Sequence, residues 1–232
     1  GTRLANFFHD TPNTAYFLGG DIQADVVWNP LKALADAMEA ADPTHIKTYH
    51  PQWYSYTATA NEAWLDFNSY QYNDNTGSML YDLTASGYGL TPTRPIFCIE
   101  PPYDPQTAMN AVQTTPLINR QNNWGSALAG ALGISYGGPR SIWFIGENGD
   151  TLPIADINRP AASQTVVIGK IMSSLNWQLL APNNNIVTSG LGSGRDRATS
   201  ELASDGSLMV VYVPSARSIT LDLKKLSGSA TA

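Results

Sequence analysis

Short apolar runs alternate with longer stretches in which apolar residues recur at helical spacing. Runs such as "AYFLGG", "IKTY" and "IFCI" are apolar without regular alternation, which is typical of strands buried on both faces of a parallel sheet. The segment 29–42, "NPLKALADAMEAAD", places Leu31, Leu34 and Met38 on one face and predicts an amphipathic helix, with Asn29 as its N-cap. Strands and helices that alternate in this way predict an α/β domain.

The pattern changes near residue 186, where the chain becomes a series of short β-segments. "ATSELA" and "LMVVYVP" are separated by the turn sequence "SDGS", and "SITLDL" follows. This pattern predicts part of a small β-sandwich. We therefore expect two domains, residues 1–181 and residues 182–232.

Composition and charge exclude several classes of partner. The net charge is −6 and only 14% of residues are charged, with Lys and Arg scattered, so we expect no nucleic-acid partner. No apolar stretch is long enough to span a membrane. The one cysteine, Cys98, excludes an internal disulfide and lies in an apolar run, which predicts a buried side chain.

Two acidic residues and a histidine each follow a predicted strand. Asp21 follows "YFLGG", His50 follows "IKTY" and Glu100 follows "PIFCI". Because the carboxyl ends of parallel strands open at one edge, we expect these side chains to lie close together. Paired carboxylates are typical of glycoside hydrolysis, although Asp21 alone would also suit a turn or a helix cap. A buried glutamate such as Glu100 requires a partner or a function.

Aromatic residues are abundant near the predicted strand ends, where they would stack on the apolar faces of sugar rings. These residues are Trp53, Tyr54, Tyr103, Tyr136 and Trp143. Trp64, Trp124 and Trp177 lie on predicted elements, and we assign them to the core.

The sequence contains no recognisable pattern for a metal or a cofactor. His9, His45 and His50 lack the spacing of metal ligands, and "ENGDT" offers too few carboxylates for calcium. We therefore predict no metal site and no cofactor. His9 and His45 are predicted to be surface or turn residues.

Five segments run in the same order as motifs of a known enzyme family. "PNTAYFLGGD", "KTYHPQ", "AWLDFNSYQ", "RPIFCIEPPYD" and "NNWGSALAGALGISYG" resemble the apiosidase-like glycoside hydrolases. That resemblance implies a (β/α)8 TIM barrel followed by a small β-domain described as collagen-binding. Within it, the five segments would supply strands four to eight, with "ISYGG" as the eighth, so the expected fold is a partial barrel and a partial β-sandwich.

The resemblance also implies roles for individual residues. Asp21 would be the general acid/base and Glu100 the nucleophile of a retaining enzyme acting on polysaccharide or glycan side chains. Carbohydrate would be contacted by His50, Trp53, Asn68, Gln71, Tyr103, Tyr136 and Trp143. Pro102 and Asp104 stand where the family commonly has Asn and Glu.

Strands one to three of such a barrel have no counterpart in this sequence. Five strands cannot close a barrel, so we expect the N-terminal barrel half elsewhere, in the same chain or in a partner. Family and composition together lead us to expect a secreted or periplasmic protein. The alternative hypothesis is a non-catalytic protein that binds carbohydrate or extracellular matrix through its aromatic surface.

Overall fold

The computed structural model describes residues 1–52, 56–72, 80–104, 114–138 and 158–229. In these ranges the chain is a mixed α/β structure. None of the helices within them has the length and apolar character needed to cross a membrane.

The first part of the chain contains four strands that alternate with helices. The strands are β1 (Ala15–Ile22), β2 (Ile46–Pro51), β3 (Asn68–Gln71) and β4 (Ile96–Glu100). The helices are α1 (Thr2–Phe8), α2 (Trp28–Ala41), α3 (Tyr56–Thr59), α4 (Leu80–Tyr88), α5 (Pro116–Ala127) and α6 (Pro160–Ser173). β1 pairs with β2 and β3 pairs with β4, both in parallel, as the apolar runs predicted.

Side chains connect the two strand pairs. The hydroxyl of Thr48 on β2 donates to the carbonyl of Phe67 at 2.8 Å. The hydroxyl of Ser69 on β3 donates to the carbonyl of Tyr49. These bonds place β2 beside β3, so the four strands follow one another in chain order.

Apolar side chains between strands and helices form the core of this part. Leu31 and Met38 of α2 pack with Leu18 of β1, and all three are buried. Cys98 is 2% exposed and free, so the prediction of a buried small side chain is confirmed. Burying each large apolar side chain contributes about 1.5–3 kcal/mol.

Helix α2 begins earlier than the sequence predicted. Its N-cap position is Val27, so the assignment of Asn29 as the N-cap is wrong and Asn29 lies inside the first turn. The first N–H groups of a helix have no intrahelical acceptor. Pro30 therefore fits within the first turn, and the helix does not have to begin directly before it.

A buried aspartate joins the end of α2 to the start of β2. Asp42 is 0% exposed and accepts hydrogen bonds from the hydroxyl of Tyr16 (2.9 Å) and of Thr44 (2.9 Å). The ring Nδ1 of His45 lies 2.5 Å from the same carboxylate. His45 was predicted to be a surface or turn residue; it does lie in the bend between α2 and β2, but its side chain is only 13% exposed. Burial opposes the charged form of Asp42, but the hydrogen bonds outweigh it and lower its pKa.

The expected fifth strand, "ISYGG", is not a regular strand. Two isolated parallel bridges join residues 131–137 to β4 and the loop after it: Ile96 with Ala131, and Tyr103 with Gly137. Between the bridges, the hydroxyl of Ser135 donates to the carbonyl of Cys98 at 2.5 Å. At this position a side-chain hydrogen bond replaces the backbone hydrogen bonds of a regular strand. Residues 131–137 nevertheless run beside β4.

The C-terminal part is built of short antiparallel strands. They are β5 (Leu180–Pro182), β6 (Val187–Ser189), β7 (Thr199–Ala203), β8 (Met209–Tyr212) and β9 (Thr220–Leu221), forming the sheets β5–β7–β8 and β6–β9. The predicted hairpin between β7 and β8 is present. Trp124 of α5 stacks on Tyr212 with ring centroids 5.3 Å apart, and this contact packs the sheet against the helices.

Candidate active site

Asp21 lies in a bulge at the carboxyl end of β1. Gly19 pairs with His50 and the next paired residue is Ile22, so Gly20 and Asp21 are extra residues on this strand. Both glycines and Asp21 have positive φ, and Asp is one of the few side chains that tolerates the left-handed region. The bulge interrupts the alternation of the strand and redirects the side chain of Asp21.

The first glycine of the pair is required by packing. A Cβ at Gly19 would lie 2.2 Å from a ring carbon of Tyr49, and φ at this position is +80°. The glycines of "GGD" therefore allow the backbone conformation that places Asp21 at the strand end.

Glu100 lies beside a second bulge. On β3 and β4, Tyr70 pairs with Cys98 and Gln71 pairs with Glu100, which leaves Ile99 as an extra residue. The two acidic residues thus each lie at a bulged strand end. Bulges are common beside active sites because they re-aim single side chains.

The two bulges bring three predicted site residues together. One ligand atom each of Asp21, His50 and Glu100 lies within 4.8 Å of the other two. His50 Nε2 is 3.0 Å from Glu100 Oε2, close enough for a charge–charge contact but outside good hydrogen-bond geometry. The side chains of His50 and Glu100 are 24% and 15% exposed, whereas Asp21 is exposed to solvent.

Gln71 connects the two carboxylates. It is 1% exposed, and its Nε2 donates to Oδ1 of Asp21. A hydrogen bond from the same side chain lowers the pKa of Glu100. Gln71 was predicted to contact carbohydrate. In this structure its amide hydrogen-bonds to the carboxylates of Asp21 and Glu100.

The environment of Glu100 favours its charged form. Burial raises the pKa of this carboxyl, but the close contact with His50 and hydrogen bonds from Tyr103 and Gln71 together hold the pKa below the usual 4.5. The Tyr103 hydroxyl donates to Glu100 Oε1. Glu100 is therefore ionised at neutral pH and can act as a nucleophile or an electrostatic partner.

A second network fixes the loop after β4. Asp104 is 1% exposed and accepts from the hydroxyl of Tyr136 at 3.3 Å and from Nε of Arg159 at 3.2 Å. The Asp104 N–H donates to the carbonyl of Gly137 at 2.9 Å. These bonds hold the neighbouring Tyr103 against Glu100. The sequence did not identify Arg159, although Asp104 stood out as a difference from the family pattern.

The other predicted site residues lie away from the carboxylates or outside the described ranges. Asn68 begins β3 opposite Ile96, three residues from Gln71 and so roughly 10 Å along the strand. Its buried amide has no hydrogen-bond partner among the residues that the structure describes. Trp53 and Trp143 lie outside the described residues.

Asp21, His50 and Glu100 are also the residues that could ligate a metal. Two carboxylates and an imidazole are donors that divalent transition metals accept. The same three groups offer a nucleophile, a proton donor and a neighbouring base, which is acid–base and nucleophilic chemistry of the chain's own side chains.

Solved structures of known proteins resemble this chain in fold. Two solved structures superpose with TM-scores of 0.86 over 98% of this chain: a glycoside hydrolase (26% identity) and a glycoside hydrolase family 5 protein from Bacteroides vulgatus ATCC 8482 (25% identity). The chain spans 57% and 55% of the length of these two chains.

No curated protein matches the sequence. The sequence model for the apiosidase-like catalytic domain matches residues 1–178 and so covers all three clustered residues, Asp21, His50 and Glu100. The chain therefore belongs to the apiosidase-like family of glycoside hydrolases.

Proposed function

We propose that this protein is a retaining glycoside hydrolase that acts on polysaccharide or glycan side chains. Glu100 is the nucleophile and Asp21 the general acid/base. The observation that carries the proposal is that one oxygen of each carboxylate lies within 4.8 Å of one oxygen of the other. Retaining enzymes hold the two carboxyl groups about 5–5.5 Å apart, whereas inverting enzymes need about 6.5–9.5 Å to admit a water.

The two carboxylates divide the reaction between them. Ionised Glu100 attacks the anomeric carbon and forms a glycosyl ester, while Asp21 protonates the departing glycosidic oxygen. Asp21 then takes a proton from water, which attacks the anomeric carbon and releases Glu100. The lowered pKa of Glu100 supports the nucleophile role, since that carboxyl must be charged before attack.

Neighbouring side chains position these groups. Gln71 holds Asp21, and Tyr103 holds one oxygen of Glu100. His50 lies against the other oxygen of Glu100 and is close enough to contact a sugar hydroxyl. With Trp53, Tyr103, Tyr136 and Trp143, His50 makes up the proposed carbohydrate-binding set. Gln71 instead positions the carboxylates, and Asn68 is left out because it is buried at the far end of β3.

The fold proposal follows from the strand order. We assign β1 to β4 and residues 131–137 to strands four to eight of a (β/α)8 barrel, because they follow one another in parallel. We assign residues 1–181 to the barrel domain and residues 182–232 to part of a β-sandwich. A polysaccharide substrate is met outside the cytoplasm, so we propose that the protein is secreted or periplasmic.

Chemical rescue tests both roles. The full-length protein is screened with 4-nitrophenyl glycosides, and Asp21→Ala and Glu100→Ala are then assayed with and without azide. We expect azide to restore turnover in both, giving a glycosyl azide of retained configuration with Asp21→Ala and of inverted configuration with Glu100→Ala. Product of inverted configuration from the unmodified protein would contradict the retaining mechanism. Carbohydrate binding without turnover, unchanged in Glu100→Gln, would instead support the non-catalytic binding protein.

A further inference from the structure

We propose that a cavity between the helices and the C-terminal strands is a second saccharide-binding site, separate from the carboxylate pair. The cavity has a volume of about 370 Å³ and is lined by Arg94, Trp177 and Glu201, among others. Arg94 precedes β4 and Glu100 ends it, so the cavity lies at the opposite end of this strand, roughly 20 Å away. Its volume is within the range of small-molecule sites, about 300–1,000 Å³.

Glu201 supplies an unpartnered carboxyl group in the cavity wall. It lies on β7 and is 4% exposed, and its carboxyl group forms no hydrogen bond or ion pair with any of the described residues. Burial raises its pKa to about 7. A buried carboxyl without a partner loses the hydrogen bonds that water would have given it, so a ligand that hydrogen-bonds to it is favoured.

Arg94 supplies a positive group that is held in place. Its Nη1 donates to the carbonyl of Glu62 at 3.0 Å and to that of Leu65. Arg94 and Glu201 line the same cavity, yet no ion pair joins them within the described part of the chain. A wall that carries both an acid and a cation disfavours a ligand of either charge and suits a neutral one with several hydroxyl groups.

Trp177 supplies the aromatic face. Its assignment to the core is wrong: the side chain is 48% exposed and lies at the cavity wall, next to the exposed Gln178. An indole face packs on the apolar face of a sugar ring, while the carboxyl, guanidinium and amide groups bind its hydroxyls. This combination of groups favours a pyranose or a short oligosaccharide over an ion or a purely apolar ligand.

The cavity is built from two parts of the chain. Arg94 and Trp177 belong to the segment matched by the family model, which ends at residue 178, whereas Pro182 and Glu201 lie beyond it. The C-terminal strands thus complete a site that the catalytic segment does not form alone. The choice of saccharide as ligand rests on the proposed function, but binding here requires no turnover.

The test uses the indole N–H signals of the ¹⁵N-labelled full chain carrying Glu100→Gln. Methyl glycosides of glucose, galactose, xylose and arabinose are titrated, and the Trp177 signal is assigned with Trp177→Phe. We expect at least one sugar to move the Trp177 signal saturably, and Glu201→Leu to weaken that binding about tenfold. Gln178→Ala changes only an exposed residue and should weaken binding several-fold, so the test stands even if Glu201→Leu does not fold.

Two results would overturn the second site. One is the absence of any saturable shift of the Trp177 signal with all four glycosides. The other is an equal shift with sorbitol, an acyclic polyol without a ring face. Failure of glycoside hydrolysis would leave this result unaffected, because the binding measurement is made on a variant that lacks the Glu100 carboxylate.

Discussion

Gln71 donates its side-chain amide to the carboxylate of Asp21, fifty residues earlier in the chain. The same residue pairs in register with Glu100 and lowers its pKa. One buried amide thus sets both the position of the proposed acid/base and the charge of the proposed nucleophile. This geometry makes Gln71 a positioning residue rather than one that acts on substrate directly.

Removal of the Gln71 amide should raise the pKa of Glu100. Gln71→Ala deletes a donor to the carboxylate, so the charged form is less favoured and the acidic limb of kcat/KM moves to higher pH. We expect kcat/KM at neutral pH to fall about 10- to 100-fold. The control is Gln164→Ala, which removes an amide bonded to Arg120 on the helices. An acidic limb that stays in place in Gln71→Ala would show that the amide does not tune Glu100.

Tyr103→Phe tests the other donor to Glu100. The phenol donates to Oε1, so its loss should also raise the Glu100 pKa and shift the acidic limb upward, by up to about one pH unit. Tyr212→Phe is the matched control, because the Tyr212 hydroxyl is buried with no hydrogen-bond partner among described residues. The pH–rate profiles of both variants give the answer. Equal shifts in the two variants would rule out a specific role for Tyr103.

Gly19→Ala should lower the free energy of unfolding. The added methyl group would meet the ring of Tyr49 at 2.2 Å, at a φ that side chains rarely adopt. We expect the free energy of unfolding to fall by about 2–4 kcal/mol. Gly169→Ala is the control, since it lies within α6 with open space around it and should stabilise by up to about 1 kcal/mol. Urea denaturation compares the two.

The stability of the protein should depend on the charge of Glu201. Its pKa is raised from 4.5 to about 7, so the folded state holds the proton more tightly than the unfolded state. This contribution is fully present below pH 4.5 and is lost as the pH rises to 7, at a cost of about 3 kcal/mol. Urea denaturation at pH 5 and pH 8 should show that loss in the unmodified protein and not in Glu201→Gln. An identical pH dependence in both proteins would contradict the prediction.

The sequence located the site because its chemistry lies at strand ends. Asp21, His50 and Glu100 each follow a short apolar run, and parallel strands bring such positions together whatever their distance in sequence. The bulges could not be predicted, since a bulge is a property of two paired strands and not of one segment. The contact of Gln71 with Asp21 depends on both bulges and was therefore missed.

The contacts and exposures that the sequence did not predict correctly all depend on packing between elements. Asp104 and Arg159 are 55 residues apart, and their contact depends on how α6 packs. Trp177 lies on a short 3₁₀ turn after α6, where sequence pattern does not distinguish a buried face from an exposed one. Local pattern gave the elements and the strand-end residues, whereas packing between elements decided which side chains meet.

Asp42→Ala should destabilise the protein strongly, because several donors would lose a buried acceptor. Tyr16, Thr44 and His45 all bond to this carboxylate, which is fully buried. We expect a loss of about 3–5 kcal/mol in the free energy of unfolding. The control is Asp36→Ala, which breaks an exposed pair with Lys32 on the same helix and should cost less than about 1 kcal/mol.

The pH dependence of the stability difference between the unmodified protein and Asp42→Ala shows whether the charge of Asp42 causes it. The lowered pKa of Asp42 means that its stabilisation is fully present above the usual aspartate pKa of 3.8 and is lost only as the pH falls below that value. Urea denaturation of the unmodified protein and of Asp42→Ala should thus differ by a constant amount between pH 5 and pH 8. Below pH 4 the two curves should converge. A gap that stays constant to pH 2 would assign the loss to packing of the side chain and not to its charge.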